Sequence, residues 1–173
     1  MRKEAGFTVV ELMAAILIAA LLMALGAWSL RTYWFTQSLE RAKAEVVTQM
    51  RQAQQRAMSE SHPLVYGVYF EPNKSFWGVV KFDPTLSAGN KCSIVEEYQF
   101  DGGVVSSSPS FSGEDAMRSE CDLKFPSTPF PQRYVFFYPR GSATPGAVTL
   151  ESFEGDDTHL IEVKGVTGRV VAP

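Results

Sequence analysis

Nineteen consecutive residues near the start of the chain, Leu12 to Leu30, carry no charge and are almost all apolar. As a helix rising about 1.5 Å per residue they would cover roughly 28 Å, close to the hydrocarbon thickness of a bilayer. Such a run has to be shielded from water by lipid or by other protein. Arg2 and Lys3 precede it. Positive charge stays on the cytoplasmic side, so the remainder of the chain is expected across the membrane. The run alone fits a removable signal peptide, cut near Ala24-Leu25-Gly26, or a retained anchor.

The residues ahead of the run separate these readings. They are Gly6-Phe7-Thr8-Val9-Val10-Glu11-Leu12. This stretch resembles the type III signal of type IV prepilins and pseudopilins, G-F-T-x-x-E-L before an apolar helix. The resemblance implies that a prepilin peptidase cuts between Gly6 and Phe7 and that Phe7 is then N-methylated. The cut would precede the run, so residues 1–6 form the leader and the run stays in the mature protein. Glu11 carries a physical argument of its own. A carboxylate deep in lipid costs about 2.5–3.5 kcal/mol, so it either reaches water or finds a partner. The resemblance implies a partner, the N-terminal amine of a neighbouring subunit during assembly.

The helix is expected to continue past the membrane. Leu39, Ala42, Val46, Met50, Ala53 and Ala57 recur at spacings of three and four among charged and amide residues, with no Pro or Gly between Ala27 and His62. That is one apolar stripe on an amphipathic helix. Pro63 disfavours helix at His62. One helix from about Phe7 to about Glu60 follows, apolar over residues 7–30 and amphipathic over 31–62.

From residue 63 to 173 the pattern becomes short bursts rich in Val, Tyr and Phe. They are Leu64–Phe70, Phe76–Phe82, Ile94–Phe100, Arg133–Tyr138, Ala147–Glu151, Leu160–Val163 and Val166–Val171. Turn formers separate them, which predicts antiparallel sheets in a head domain. Gly102 to Gln132 reads as an irregular excursion, with Ser106-Ser107-Ser108-Pro109 a flexible loop. Cys92 and Cys121 are the two cysteines. Beyond a membrane they suggest one disulfide; two buried thiols are the alternative.

The last forty residues carry a second resemblance. Tyr134-Val135-Phe136-Phe137-Tyr138-Pro139-Arg140-Gly141, Val148-Thr149-Leu150, Leu160-Ile161-Glu162-Val163 and Thr167-Gly168-Arg169-Val170 resemble the GspH/FimT family in order and spacing. The implied fold is α+β and type IV pilin-like, a long N-terminal helix packed on an antiparallel β head. The implied function is a minor pilin or minor pseudopilin that initiates or caps a type IV pilus or a type II secretion pseudopilus. Its partners would be prepilin peptidase, other pilins or pseudopilins and, before assembly, the bacterial inner membrane. The N-terminus would be cytoplasmic and the head periplasmic.

Some relatives in that family bind DNA for natural transformation through a C-terminal G-R-x-R, which makes a DNA-binding minor pilin the alternative. Here Gly168-Arg169 is followed by Val170-Val171, so Arg169 is the one matching arginine. A formal net charge of -3 gives no support to phosphate-driven binding. Arg169 is therefore read as a strand-end arginine paired with a carboxylate, and nucleic acid is not expected as a partner. No catalytic constellation is visible. The two histidines, His62 and His159, lack metal-ligand spacing, and G-x-S-x-G, phosphate-loop and CxxC motifs are absent from the sequence. Glu154, Asp156 and Asp157 read as an acidic turn. No enzyme activity, cofactor or metal is expected.

Overall fold

The computed structural model describes residues 8–60, 63–112, 115–123, 133–152 and 157–172, with the side chains of residues 27–29 and 115–116 excepted. The chain divides into two compact units, Met1–Trp34 and Phe35–Pro173.

Helix α1 runs over Val9–Ser59. In the first unit its apolar window has a mean hydropathy of 2.5 and none of it is buried. A helix apolar on all sides has no single face to give to a core, so it is built for lipid or for packing on all sides. In the second unit the stripe read from the sequence is the buried face. Leu39, Val46, Met50 and Ala57 have no exposed surface, and Ala42 and Ala53 nearly none. Glu60 still donates its N–H to the Arg56 carbonyl at 2.9 Å, which closes the last turn ahead of Pro63.

Among the described residues, two four-stranded antiparallel sheets form the head. Sheet A has the order β3-β2-β1-β5, from β1 (Val65–Phe70), β2 (Phe76–Phe82), β3 (Cys92–Gln99) and β5 (Tyr134–Phe137). Sheet B has the order β4-β6-β7-β8, from β4 (Val104–Ser107), β6 (Gly146–Ser152), β7 (Thr158–Lys164) and β8 (Arg169–Val171). One core joins the α1 stripe to Tyr66, Val68, Trp77 and Phe137 of sheet A and to Val148, Leu150, Ile161 and Val163 of sheet B. Sheet A is covered on its other face as well. There Tyr69, Val80, Phe82, Tyr134 and Phe136 pack with Met117 and Cys121 of a short helix, α2 (Asp115–Asp122). This is why β1 is buried at every position and shows no alternation, while β6 and β7 alternate.

The structure corrects the sequence reading in three places. Gly102–Gln132 is not irregular throughout, because it contains β4 and α2. Ser106 and Ser107 are buried strand residues rather than a flexible loop. The Ser106 hydroxyl donates to the Glu71 carbonyl at 2.7 Å, and its backbone N–H donates to the Lys74 carbonyl at 3.1 Å. The final strand begins at Arg169 rather than Val166, because a turn with Gly168 at φ +60° precedes it.

Candidate assembly sites

In the first unit Thr8 stands immediately before α1. Its hydroxyl accepts the N–H of Glu11 at 3.3 Å, and its carbonyl accepts the N–H groups of Glu11 and Leu12 at 3.1 and 3.2 Å. Thr8 is thus the N-cap and Glu11 the third helical residue, the T-x-x-E spacing of a capping box. Glu11 is exposed in the first turn, where the helix dipole favours an anion. The carboxylate at the rim of the apolar surface therefore has an intrahelical reason to be there as well as an assembly reason. The capping role was readable from Thr8 and Glu11 but did not enter the sequence reading. Gly6 and Phe7, the expected cleavage and methylation positions, lie outside the described residues.

In the second unit, the motif turns of the C-terminal third converge on one side chain of α1. Gln54 donates from Nε2 to the carbonyl of Gly141 at 3.1 Å and to that of Thr167 at 3.3 Å. Gly141 closes the turn after β5 with φ +82°, its N–H donating to the Tyr138 carbonyl at 2.9 Å. A Cβ on Gly168 would lie 2.4 Å from the Gly141 oxygen and 2.5 Å from Gln54 Nε2. Gly141, which ends Phe137-Tyr138-Pro139-Arg140-Gly141, and Gly168, which precedes Arg169, are thus needed for the chain to close on the helix at one point. Sequence reasoning placed both motifs but not Gln54, which looks like any other solvated amide of the polar face.

Polar side-chain contacts fix the same helix to the sheets. Arg56 meets Glu96 of β3 at 3.0 Å, and Glu40 meets His159 of β7 at 2.9 Å. Thr36 donates to Asp157 at 3.1 Å, so this member of the expected acidic turn serves as an acceptor; Glu154 and Asp156 lie outside the described residues. Glu60 accepts from Tyr66 at 2.7 Å and lies 3.4 Å from Lys81. Hydrogen bonds hold two of these carboxyls below the usual carboxylate range: from Tyr66 to Glu60, and from Tyr98 and then Arg56 to Glu96. Glu45 moves the other way, raised by burial and then by Asp101.

Cys92 and Cys121 are bonded, joining β3 to α2. Arg133, fully buried, reaches Asp122 at 2.5 Å, a second fastening of α2 that the sequence did not reveal. Arg169 differs from its expected role as a paired strand-end arginine. It is exposed, opposite Lys164 in the ladder, and no carboxylate pairs with it among the described residues. The short hairpin explains this: its neighbour Glu162 is taken by Lys164. Among the described residues no three His, Cys, Asp or Glu side chains gather where a metal could sit.

Comparison with known proteins fits this arrangement. Residues 1–27 match the prokaryotic N-terminal methylation motif, and residues 42–167 match the type II transport protein GspH family. The chain belongs to the GspH family. It is a structural subunit of the minor pilin and pseudopilin kind. Two solved structures share its fold. Both are of the minor pseudopilin EpsH from the type II secretion system of Vibrio cholerae. One is 12% identical with a TM-score of 0.53, over 79% of this chain and 96% of EpsH. The other is 11% identical with a TM-score of 0.52, over 79% and 93%. A comparison with curated proteins finds no match.

Proposed function

We propose that the chain is made as a prepilin, cut between Gly6 and Phe7 and methylated on Phe7. It is then held in the inner membrane by the apolar half of α1, with the head in the periplasm. From there it enters a pseudopilus or type IV pilus as a minor subunit that initiates or caps the filament. The observation that carries this reading is the motif-led apolar helix with no buried residue in its window, together with a head whose buried core includes none of that window's residues. A helix of that kind is left over from folding and available for association. The disulfide supports an oxidising compartment for the head. The family is a structural one, and no catalytic role is proposed.

The experiment is co-expression with a prepilin peptidase, followed by N-terminal sequencing and mass spectrometry. The expected product starts at methylated Phe7, and Gly6→Val stays uncut. A start near Ala27 would replace the reading with an ordinary signal peptide. Glu11→Ala should be inserted and cut, yet enter filaments several-fold less well; incorporation equal to wild type would make the carboxylate a bystander. Exposed Arg169 invites a DNA reading, but one arginine and one engaged lysine release few counterions. Anisotropy titration at physiological salt is expected to show non-specific binding alone, unchanged by Arg169→Ala.

A further inference from the structure

Part of the outer face of sheet A forms an open groove of about 390 Å³, lined by Tyr69, Glu71, Phe76, Glu97, Tyr98 and Gln99. Its make-up follows from an irregularity in β3. Val79 pairs with Glu96 and Val80 with Ile94, so Val95 is an extra residue at a bulge. The bulge resets the alternation that follows. Glu96 turns to the helix side, where Arg56 meets it, and Glu97 turns to the outer face beside Tyr69.

The two groove carboxylates are not equivalent. Glu71 has Lys74 at 2.8 Å. Glu97 accepts a hydrogen bond from the Tyr69 phenol at 3.2 Å, a neutral donor, and no cation pairs with it among the described residues. The phenol is held in place because the Tyr69 ring crosses Gly78, where a Cβ would come within 2.7 Å of it. Across the groove Phe76 is 50% exposed although it sits on an inner strand of the sheet. A carboxylate with no cation on it among the described residues and a half-exposed aromatic ring together match a flat, weakly hydrated cation. A guanidinium stacks on the ring and gives paired N–H donors to the carboxylate; an ammonium is a hydrated point charge and does neither as well.

We propose that this groove receives an arginine side chain from a neighbouring subunit, with Glu97 taking the guanidinium and Phe76 its flat face. The proposal deepens the assembly reading above and rests on it for the identity of the partner. Its first test does not depend on assembly. The full chain in detergent micelles is titrated with N-acetylarginine methylamide at matched ionic strength and followed by two-dimensional NMR. Saturable shifts are expected around Phe76, Gly78, Glu97 and Gln99, with a midpoint on the order of 10 mM for one side chain acting alone. Glu97→Gln, which keeps an acceptor for Tyr69, should weaken binding about tenfold, and Phe76→Ala about threefold. Shifts that do not saturate, or that an N-acetylnorleucine methylamide control or the Glu97→Gln protein reproduces, would overturn the proposal and leave the assembly reading intact. The second test is in cells. Glu97→Lys should be cut normally and enter filaments several-fold less well, whereas wild-type incorporation of Glu97→Lys would overturn the subunit contact.

Discussion

The two halves of α1 share a backbone and almost nothing else. Residues 9–26 are exposed at every position, and their apolar side chains point in all directions. Residues 39–57 bury one stripe and leave Arg51, Gln52 and Gln55 on the other side. Helix formation therefore does not depend on a core, since both halves are built from good helix formers without an interior proline. What differs is the surroundings each half requires. The packed half has its neighbours in the same chain, whereas the bare half must find them in lipid or in other subunits. One element thus carries two separable energetic roles, and mutation can address them one at a time.

The largest contrast should come from placing a carboxylate in each half. Val46→Asp buries an unpaired charge in a site with no exposed surface. It should cost more than about 4 kcal/mol and leave the head unfolded. Leu17→Asp should leave the thermal melting of the head unchanged and instead oppose membrane insertion by about 2.5–3.5 kcal/mol. Circular dichroism in detergent together with membrane fractionation separates the two, and a head transition that moves with Leu17→Asp would break the division.

Next in size is the disulfide. Replacing Cys92 and Cys121 with serine should lower head stability by about 3–4 kcal/mol, as expected for a closed loop of this length. Near-UV signal from the head aromatics should be lost at lower denaturant, while far-UV helicity from the bare half persists. Simultaneous loss of both would mean that the halves unfold together.

The Gln54 contact is smaller. Gln54→Ala leaves two carbonyls without their donor and should cost about 1–2 kcal/mol. Gln54→Glu should cost more than Gln54→Ala, because a carboxylate would face the same two oxygens. Equal melting of the two variants would argue that the clasp acts through packing alone.

The smallest effect is with pH. Glu60 and Glu96 titrate lower in the folded head than the unfolded value near 4.5. Their stabilisation is present above that value and lost as pH falls through the lower folded values. Both groups are partly exposed, so solvent screening keeps each contribution under about 1 kcal/mol. Glu45 opposes the trend, because its raised value relieves a penalty as acid is added. Chemical denaturation from pH 7 to pH 3 should show a modest fall below about pH 4.5, with Glu96→Gln flattening part of it.

How much of this was legible follows the same division. The unbroken apolar run and the periodic stripe from Leu39 to Ala57 are both local signals, and the helix follows both. The strands around Val68, Val79, Val135 and Ile161 announced themselves through β-branched and aromatic residues. What stayed hidden depends on partners distant in sequence. The four residues of β4 include two buried serines, of which Ser106 is bonded to the turn after β1. In α2 the buried apolar residues among the described side chains are Met117 and Cys121, and that helix is fastened by a disulfide and by Arg133. The groove was illegible for a related reason. Strand alternation puts the adjacent Glu96 and Glu97 on opposite faces, but which of them faces the helix is set by the bulge at Val95.

The bond between β3 and α2 also bears on how fast the head forms. Strand β5 must return from beyond residue 133 to pair with β1, which ends at Phe70, so their junction closes a long loop. Once Cys92 and Cys121 are joined, the path between those strands is nearly halved, and the entropic cost of closing it drops by about 0.6 kcal/mol. An oxidised chain would then complete sheet A about threefold faster than a reduced one if that closure limits the rate. The time of exposure of β1, whose every residue ends up buried, is set in part by how quickly the two thiols meet.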